Sequence, residues 1–241
     1  MRKLLIALLA TVMALPALRA LGPAPTLDEL GIKAERYFAQ KEWASAAAMY
    51  SLMIDRRPDS AALYGRAVTA AAMRGIESEQ LTLLHQALTS HVPIDSLFAA
   101  VQQSSFSLGQ SSLLEHFLIL SAKAEPWMSR KIDASLLDYY TFRRDGAAMI
   151  EYAEKLLKGL PDSEQFGLRL AQGYFIEGRD AEAVATWQSV LEHHPESLEA
   201  LLYLGEMSRR TGDTAAARSY FTRANNIQPS PRLAAYLAAG Q

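Results

Sequence analysis

Residues Glu164 to Ser197 read EQFGLRLAQGYFIEGRDAEAVATWQSVLEHHPES, and Leu198 to Arg232 continue LEALLYLGEMSRRTGDTAAARSYFTRANNIQPSPR. Set one above the other, the two stretches share an order. Leu170 and Leu204 are followed by the small residues Ala171 and Gly205. Gly178 and Gly212 stand where a helix would end. Ala183 and Ala217 come next, then the aromatic residues Trp187 and Phe221, and the stretches close on Pro195 and Pro229. Small side chains at matching points of two helices let the axes approach closely. Glycine past a helix end accepts a left-handed conformation, and a polar residue after it can cap the next helix. Each stretch therefore reads as a pair of helices joined by a tight turn, here Gly178-Arg179-Asp180 and Gly212-Asp213-Thr214.

The same beat extends outward. Pro58, Pro93, Pro126, Pro161, Pro195 and Pro229 are separated by 35, 33, 35, 34 and 34 residues, and the chain's other four prolines lie near its ends. Proline cannot continue a helix and disfavours helical geometry in the residue before it, so one per period separates successive hairpins. A period near 34 residues is that of a helix–turn–helix array.

The residues in these periods resemble the tetratricopeptide repeat family. Leu170, Ala171, Tyr174, Gly178, Ala183, Trp187, Val190 and Pro195 carry the likeness in one unit. Leu204, Gly205, Gly212, Ala217, Phe221, Ala224 and Pro229 carry it in the next. Residues 27–60 match through Ala34, Tyr37, Ala46, Tyr50 and Met53, with a turn at Gln40-Lys41-Glu42 that lacks glycine. Residues 61–94, 95–127 and 128–163 fit by length and proline phase more than by signature. They keep Tyr64, Leu84 and Ala87, then Phe98, Leu114 and Leu118, then Leu137, Tyr140, Asp145-Gly146 and Leu156. The resemblance implies an all-α, right-handed superhelical solenoid of about six hairpins, over residues 27–229 with the last two units at 164–197 and 198–229. Residues 230–241 form a capping helix and the C-terminus, with Leu233, Tyr236 and Leu237 on one stripe after Pro231.

Residues 1–20 stand apart. Met1-Arg2-Lys3 precede an apolar run from Leu4 to Leu15, and Pro16 and small residues at Ala17 and Ala20 follow, which is the layout of a secretory signal peptide. Cleavage is expected after Ala20, with Ala17 as the other site. Residues 21–26 are an extended lead-in. The run falls short of the ~20 apolar residues of a spanning helix. An uncleaved inner-membrane anchor is the rival reading. The chain has no cysteine, which excludes both disulfides and attachment as a bacterial lipoprotein. Together these point to the bacterial periplasm.

The whole chain carries a net charge of −2, and no cluster of Lys and Arg marks a nucleic-acid surface. The leader holds Arg2, Lys3 and Arg19 and no acid, so its removal leaves a net charge of −5. That balance disfavours anionic membrane surfaces, and no stable membrane insertion is expected after cleavage.

No nucleophile elbow, phosphate-cradling loop, dinucleotide fingerprint or zinc motif is present. His193 and His194 are adjacent, point in different directions and make a poor metal pair. No enzyme activity, cofactor or metal is therefore expected. The resemblance implies instead a concave groove lined by the first helices, where a protein or peptide partner binds. Its candidates are Glu35, Phe38, Thr69, Met73, Gln103, Phe106, Asp138, Phe142, Gln172, Phe175, Glu206 and Arg209. Phe38, Phe106, Phe142 and Phe175 fall near one phase, as apolar anchors or as packing residues. The Lys, Asn and Arg clamp that one subtype uses for a C-terminal carboxylate is absent from these positions. The reading is a scaffold or adaptor in an envelope complex. Two alternatives remain: an accessory or cryptic enzyme with a non-repeat activity in residues 61–163, and a groove for an apolar ligand.

Overall fold

The computed structural model describes residues 24–239; the signal-peptide reading, the start of the lead-in and the last two residues lie outside them. Thirteen α-helices run in chain order, with no strand among the described residues. They are α1 (Leu27–Ala39), α2 (Trp43–Ile54), α3 (Ala61–Met73), α4 (Glu77–Thr89), α5 (Ile94–Ser107) and α6 (Ser112–Ala124). A short 3-10 turn, Pro126–Met128, leads to α7 (Ser129–Arg143), α8 (Gly146–Leu157), α9 (Glu164–Ile176), α10 (Asp180–His193), α11 (Leu198–Thr211), α12 (Thr214–Ile227) and α13 (Pro231–Ala238). Residues 61–163, which left room for a different fold, are helices and turns throughout. No described helix is long and apolar enough to cross a membrane.

The described residues divide into two compact units, one up to Phe117 and one from Leu118. In the first, α1 packs on α2, α2 on α3, and α3 on both α4 and α5. In the second, each helix from α7 to α13 packs on the next. This is the contact pattern of consecutive hairpins, each covering an apolar face its neighbour cannot cover alone.

Local chemistry sets the helix ends. Thr26 and Glu29 form a reciprocal capping box at the start of α1, with Thr26 Oγ1 accepting from the Glu29 amide at 3.2 Å. Asp145 and Asp213 cap α8 and α12 by accepting from the amides of Ala148 and Ala216. Arg179 precedes α10 without a side-chain cap, so the polar residue expected at that turn, Asp180, lies inside the helix. All six body prolines lie outside the α-helices, between a second helix and the next first helix.

The turns show a second period. Lys41, Gly75, Gly109, Arg144, Gly178 and Gly212 all have positive φ, between 55° and 82°, at intervals of 34, 34, 35, 34 and 34 residues. Every hairpin therefore turns through one left-handed residue, including those with little signature. At Asp145-Gly146 the left-handed residue is the preceding Arg144, while Gly146 is buried inside α8. A Cβ on Gly146 would meet the Glu177 side chain and the Gly173 carbonyl, so that glycine serves close packing. At Lys41 and Arg144 a side chain occupies a conformation that L-residues adopt at a cost of about 1 kcal/mol. Lys41→Gly is expected to raise stability by up to about 1 kcal/mol, and Gly212→Ala to lower it by about as much. Urea midpoints of the two variants would move in opposite directions; a loss on Lys41→Gly would refute the assigned turn geometry.

The core follows the repeated positions. Tyr64, Leu84, Ala87, Leu118, Ala171, Ala183 and Trp187 have no measurable exposure. Trp187 stacks on Tyr203 of the following hairpin, ring centroids 4.7 Å apart and 4° from parallel. Phe221 meets the edge of Tyr236 on α13 at 5.0 Å. Both fill the space toward a neighbouring element, as their matched positions imply.

Candidate functional site

In the first unit the expected groove residues are largely tied to structure. Glu35 on α1 accepts hydrogen bonds from Tyr50 Oη at 2.8 Å and from Arg66 of α3 at 3.1 Å. The Arg66 guanidinium also lies over the Phe38 ring, 4.5 Å from its centroid. Phe38 is only 4% exposed and sits edge-on to Trp43 and Tyr50. It belongs to the hairpin interior and not to an open face. Burial, then the bond to Glu35, pushes the Tyr50 phenol well above its ordinary range. Thr69 is fully buried and donates to the Gly65 carbonyl at 2.8 Å. Met73 and Phe106 are half-buried near the ends of α3 and α5, and Gln103 is exposed.

The second unit gathers its candidates more closely. Asp138 is exposed on α7, yet crowding by neighbouring side chains raises its carboxyl, with Arg169 opposing. Phe142 is 68% exposed at the end of the same helix. Arg169 of α9 donates to Gln172 at 3.1 Å and pairs with Glu199 of α11 at 3.2 Å. Phe175 is half-buried, 6.1 Å from Trp187 and 6.4 Å from Tyr203, with Arg210 over its ring. It is therefore partly a packing residue. Arg209 grips Glu206 with two bonds, at 2.9 and 2.6 Å. The hydrogen bond from Arg209 holds the Glu206 carboxyl below the usual carboxylate range, and the charges of Arg209, Arg232 and Arg210 add to it.

Glu206 and Arg209 line a cleft of about 1110 Å³ between α11 and α13. Its apolar lining includes Leu198, Leu202, Tyr203, Leu233 and Tyr236, and Arg232 stands on its α13 side. Sequence reasoning missed most of these residues. Glu199, Leu202, Tyr203 and Glu206 follow an i, i+3, i+4, i+7 stripe, which was a usable signal on α11. The α13 side had none, because that helix reads simply as a cap. It does meet Phe221 through Tyr236 and the core around Leu204 through Leu233. None of its own residues is buried, so it forms a wall as well as a lid.

A smaller cavity, about 350 Å³, lies beside the end of α10. There His194 Nε2 bonds the Asp162 carbonyl at 2.7 Å, and His193 Nε2 lies 3.5 Å from the Asp162 carboxylate. The two histidines fasten α10 to the preceding loop. Among the described residues no group of three or more His, Asp or Glu is placed to hold a metal ion.

Comparison with known proteins bears on this arrangement. The family model described as tetratricopeptide repeat matches residues 168–231, from within α9 through α12, and stops at the first residue of α13. A curated relative, the putative cellulose synthase operon protein C of Escherichia coli O157:H7, is 28% identical over 204 residues. That match takes in 81% of this chain, which spans only 17% of the relative's length. Among solved structures, the C-terminal part of a TPR repeat-containing protein from Cytophaga hutchinsonii aligns with a TM-score of 0.49 at 14% identity, covering 80% of this chain and 77% of that one. Pseudomonas aeruginosa pilF aligns at 0.48 and 13% identity, covering 89% and 97%. The family model thus matches the two best-marked hairpins, and every described hairpin shares their beat of turns, so the chain is similar to tetratricopeptide repeat proteins.

Proposed function

We infer that this chain is a non-enzymatic scaffold that holds a segment of a partner protein, with the cleft between α11 and α13 as its main seat. The repeat fold supports a protein–protein interaction role. The observation that carries the finer reading is the cleft itself. It combines the exposed Leu202 and the half-buried Tyr203 and Tyr236 with a charged rim. An apolar anchor site framed by polar groups is the usual form of a protein-binding hot spot. The bacterial envelope is the proposed setting, on the strength of the leader-like residues 1–20. The named relative makes proteins of a cellulose synthase operon one class of partner to try first.

The test is site-specific photocrosslinking in intact cells that express the full chain. A crosslinking residue placed at Leu202 is expected to yield partner adducts, and one at the exposed Glu192 of α10 is not. Adducts from Glu192 equal to those from Leu202 would move the binding face to the second helices. Phe142→Ala is the cleaner companion variant on the first helices. Phe175→Ala also removes contacts with Trp187 and Tyr203 and so mixes folding with binding.

A further inference from the structure

The charge around the cleft is unevenly distributed. Glu199 is answered by Arg169 at 3.2 Å, and Glu206 is held by Arg209 through two bonds. Both acids that line the cleft are thus engaged within the protein. At the α13 end, Glu206 stands in the field of three guanidinium groups, Arg209, Arg210 and Arg232. One of these suffices to neutralise it. Arg232 forms no ion pair among the described residues, is exposed, and lines the cleft beside Leu233 and Tyr236. A spare cation beside an apolar floor favours a ligand that brings its own carboxylate, because unlike charges across an interface raise both selectivity and the rate of encounter.

We propose that the cleft receives an acidic segment of a partner protein, which seats a large apolar side chain against Leu202, Tyr203 and Tyr236 and sets an Asp or Glu carboxylate against Arg232. This rests on the cleft being the partner seat. It adds the chemical class of the partner, which the first helices alone did not reveal, since their own groove positions are rich in acids and amides. The arginine that changes the balance comes from the last helix.

The experiment selects short random peptides displayed on phage against the full chain, then measures the best binders by fluorescence anisotropy. Enriched peptides should carry Asp or Glu near a Leu, Phe or Trp. Arg232→Glu should weaken them about tenfold at low salt, the size of a ~1.4 kcal/mol contact. The difference should shrink as salt screens the exposed pair. Arg232 is exposed, so the variant keeps the core, which circular dichroism checks. Peptides that depend on Leu202 and Tyr236 but lack acids, or that ignore Arg232→Glu, overturn the acidic class while leaving the cleft as the seat. If no selected peptide loses binding on Leu202→Glu with Tyr236→Ala, the cleft is not the seat and both readings fall.

Discussion

Trp187→Ala is expected to lower stability by about 3–5 kcal/mol, the range for truncating a fully buried aromatic residue. The indole is fully enclosed, lies flat on Tyr203 and touches Phe175, so its removal opens a void where two hairpins meet. Trp187→Phe should behave differently. The buried Nε1–H has no hydrogen-bond partner among the described residues, and an unsatisfied buried donor costs about 1–3 kcal/mol. Phenylalanine discards that donor while retaining most of the stacking face, so a net loss near 1 kcal/mol is expected. Urea unfolding followed by circular dichroism separates the two variants. Equal losses would mean that the indole N–H is satisfied and that the packing account is wrong.

Gly65→Ala is the second large effect, and its sign is instructive. In a helix interior, alanine for glycine ordinarily gains about 1 kcal/mol. Here the new Cβ would stand 2.6 Å from the carbonyl carbon and oxygen of Ala100, on the backbone of α5. Backbone cannot rotate away as a side chain can, so α3 and α5 must move apart. A net loss of about 2 kcal/mol is expected, propensity included. Gly205→Ala is the control. Its Cβ would meet the Phe221 ring at 2.5 Å, a packed side chain that can nonetheless shift by more than backbone can. A smaller loss, about 1 kcal/mol, follows. A stabilised Gly65→Ala in the same unfolding assay would show that the two helices are not in close contact.

What the sequence disclosed and what it concealed follow from the range of each interaction. Prolines and the Gly178 and Gly212 turns act through the local backbone: the prolines mark hairpin ends and the glycines the turns within hairpins, in the sequence as in the structure. Lys41 and Arg144 perform the same turn without glycine, so only the beat, and not the residue type, could have pointed to them. Gly146 is the opposite case: it follows Asp145 near the turn, but the glycine answers to a helix about thirty residues further on.

The phenylalanines make the point for the site. Phe38, Phe142 and Phe175 share a phase yet range from buried to exposed. Their exposure is set by Arg66, Trp187 and Tyr203 on other helices, which a helical period does not encode. Glu206 and Arg209 pair locally, three residues apart on one helix, and enter the sequence reading as groove positions implied by the resemblance. Arg232 does not, because its role depends on where α13 lands.

The way α13 is attached has a mechanical consequence. On one side of the opening stands α11, pinned by Leu201 and Leu204 deep in packed surroundings. Opposite it is an eight-residue rod that rests on its supports through little more than Leu233 and Tyr236. The two walls are thus unequally held, and the lightly held one is where a bound segment of the proposed kind would set the width of the opening.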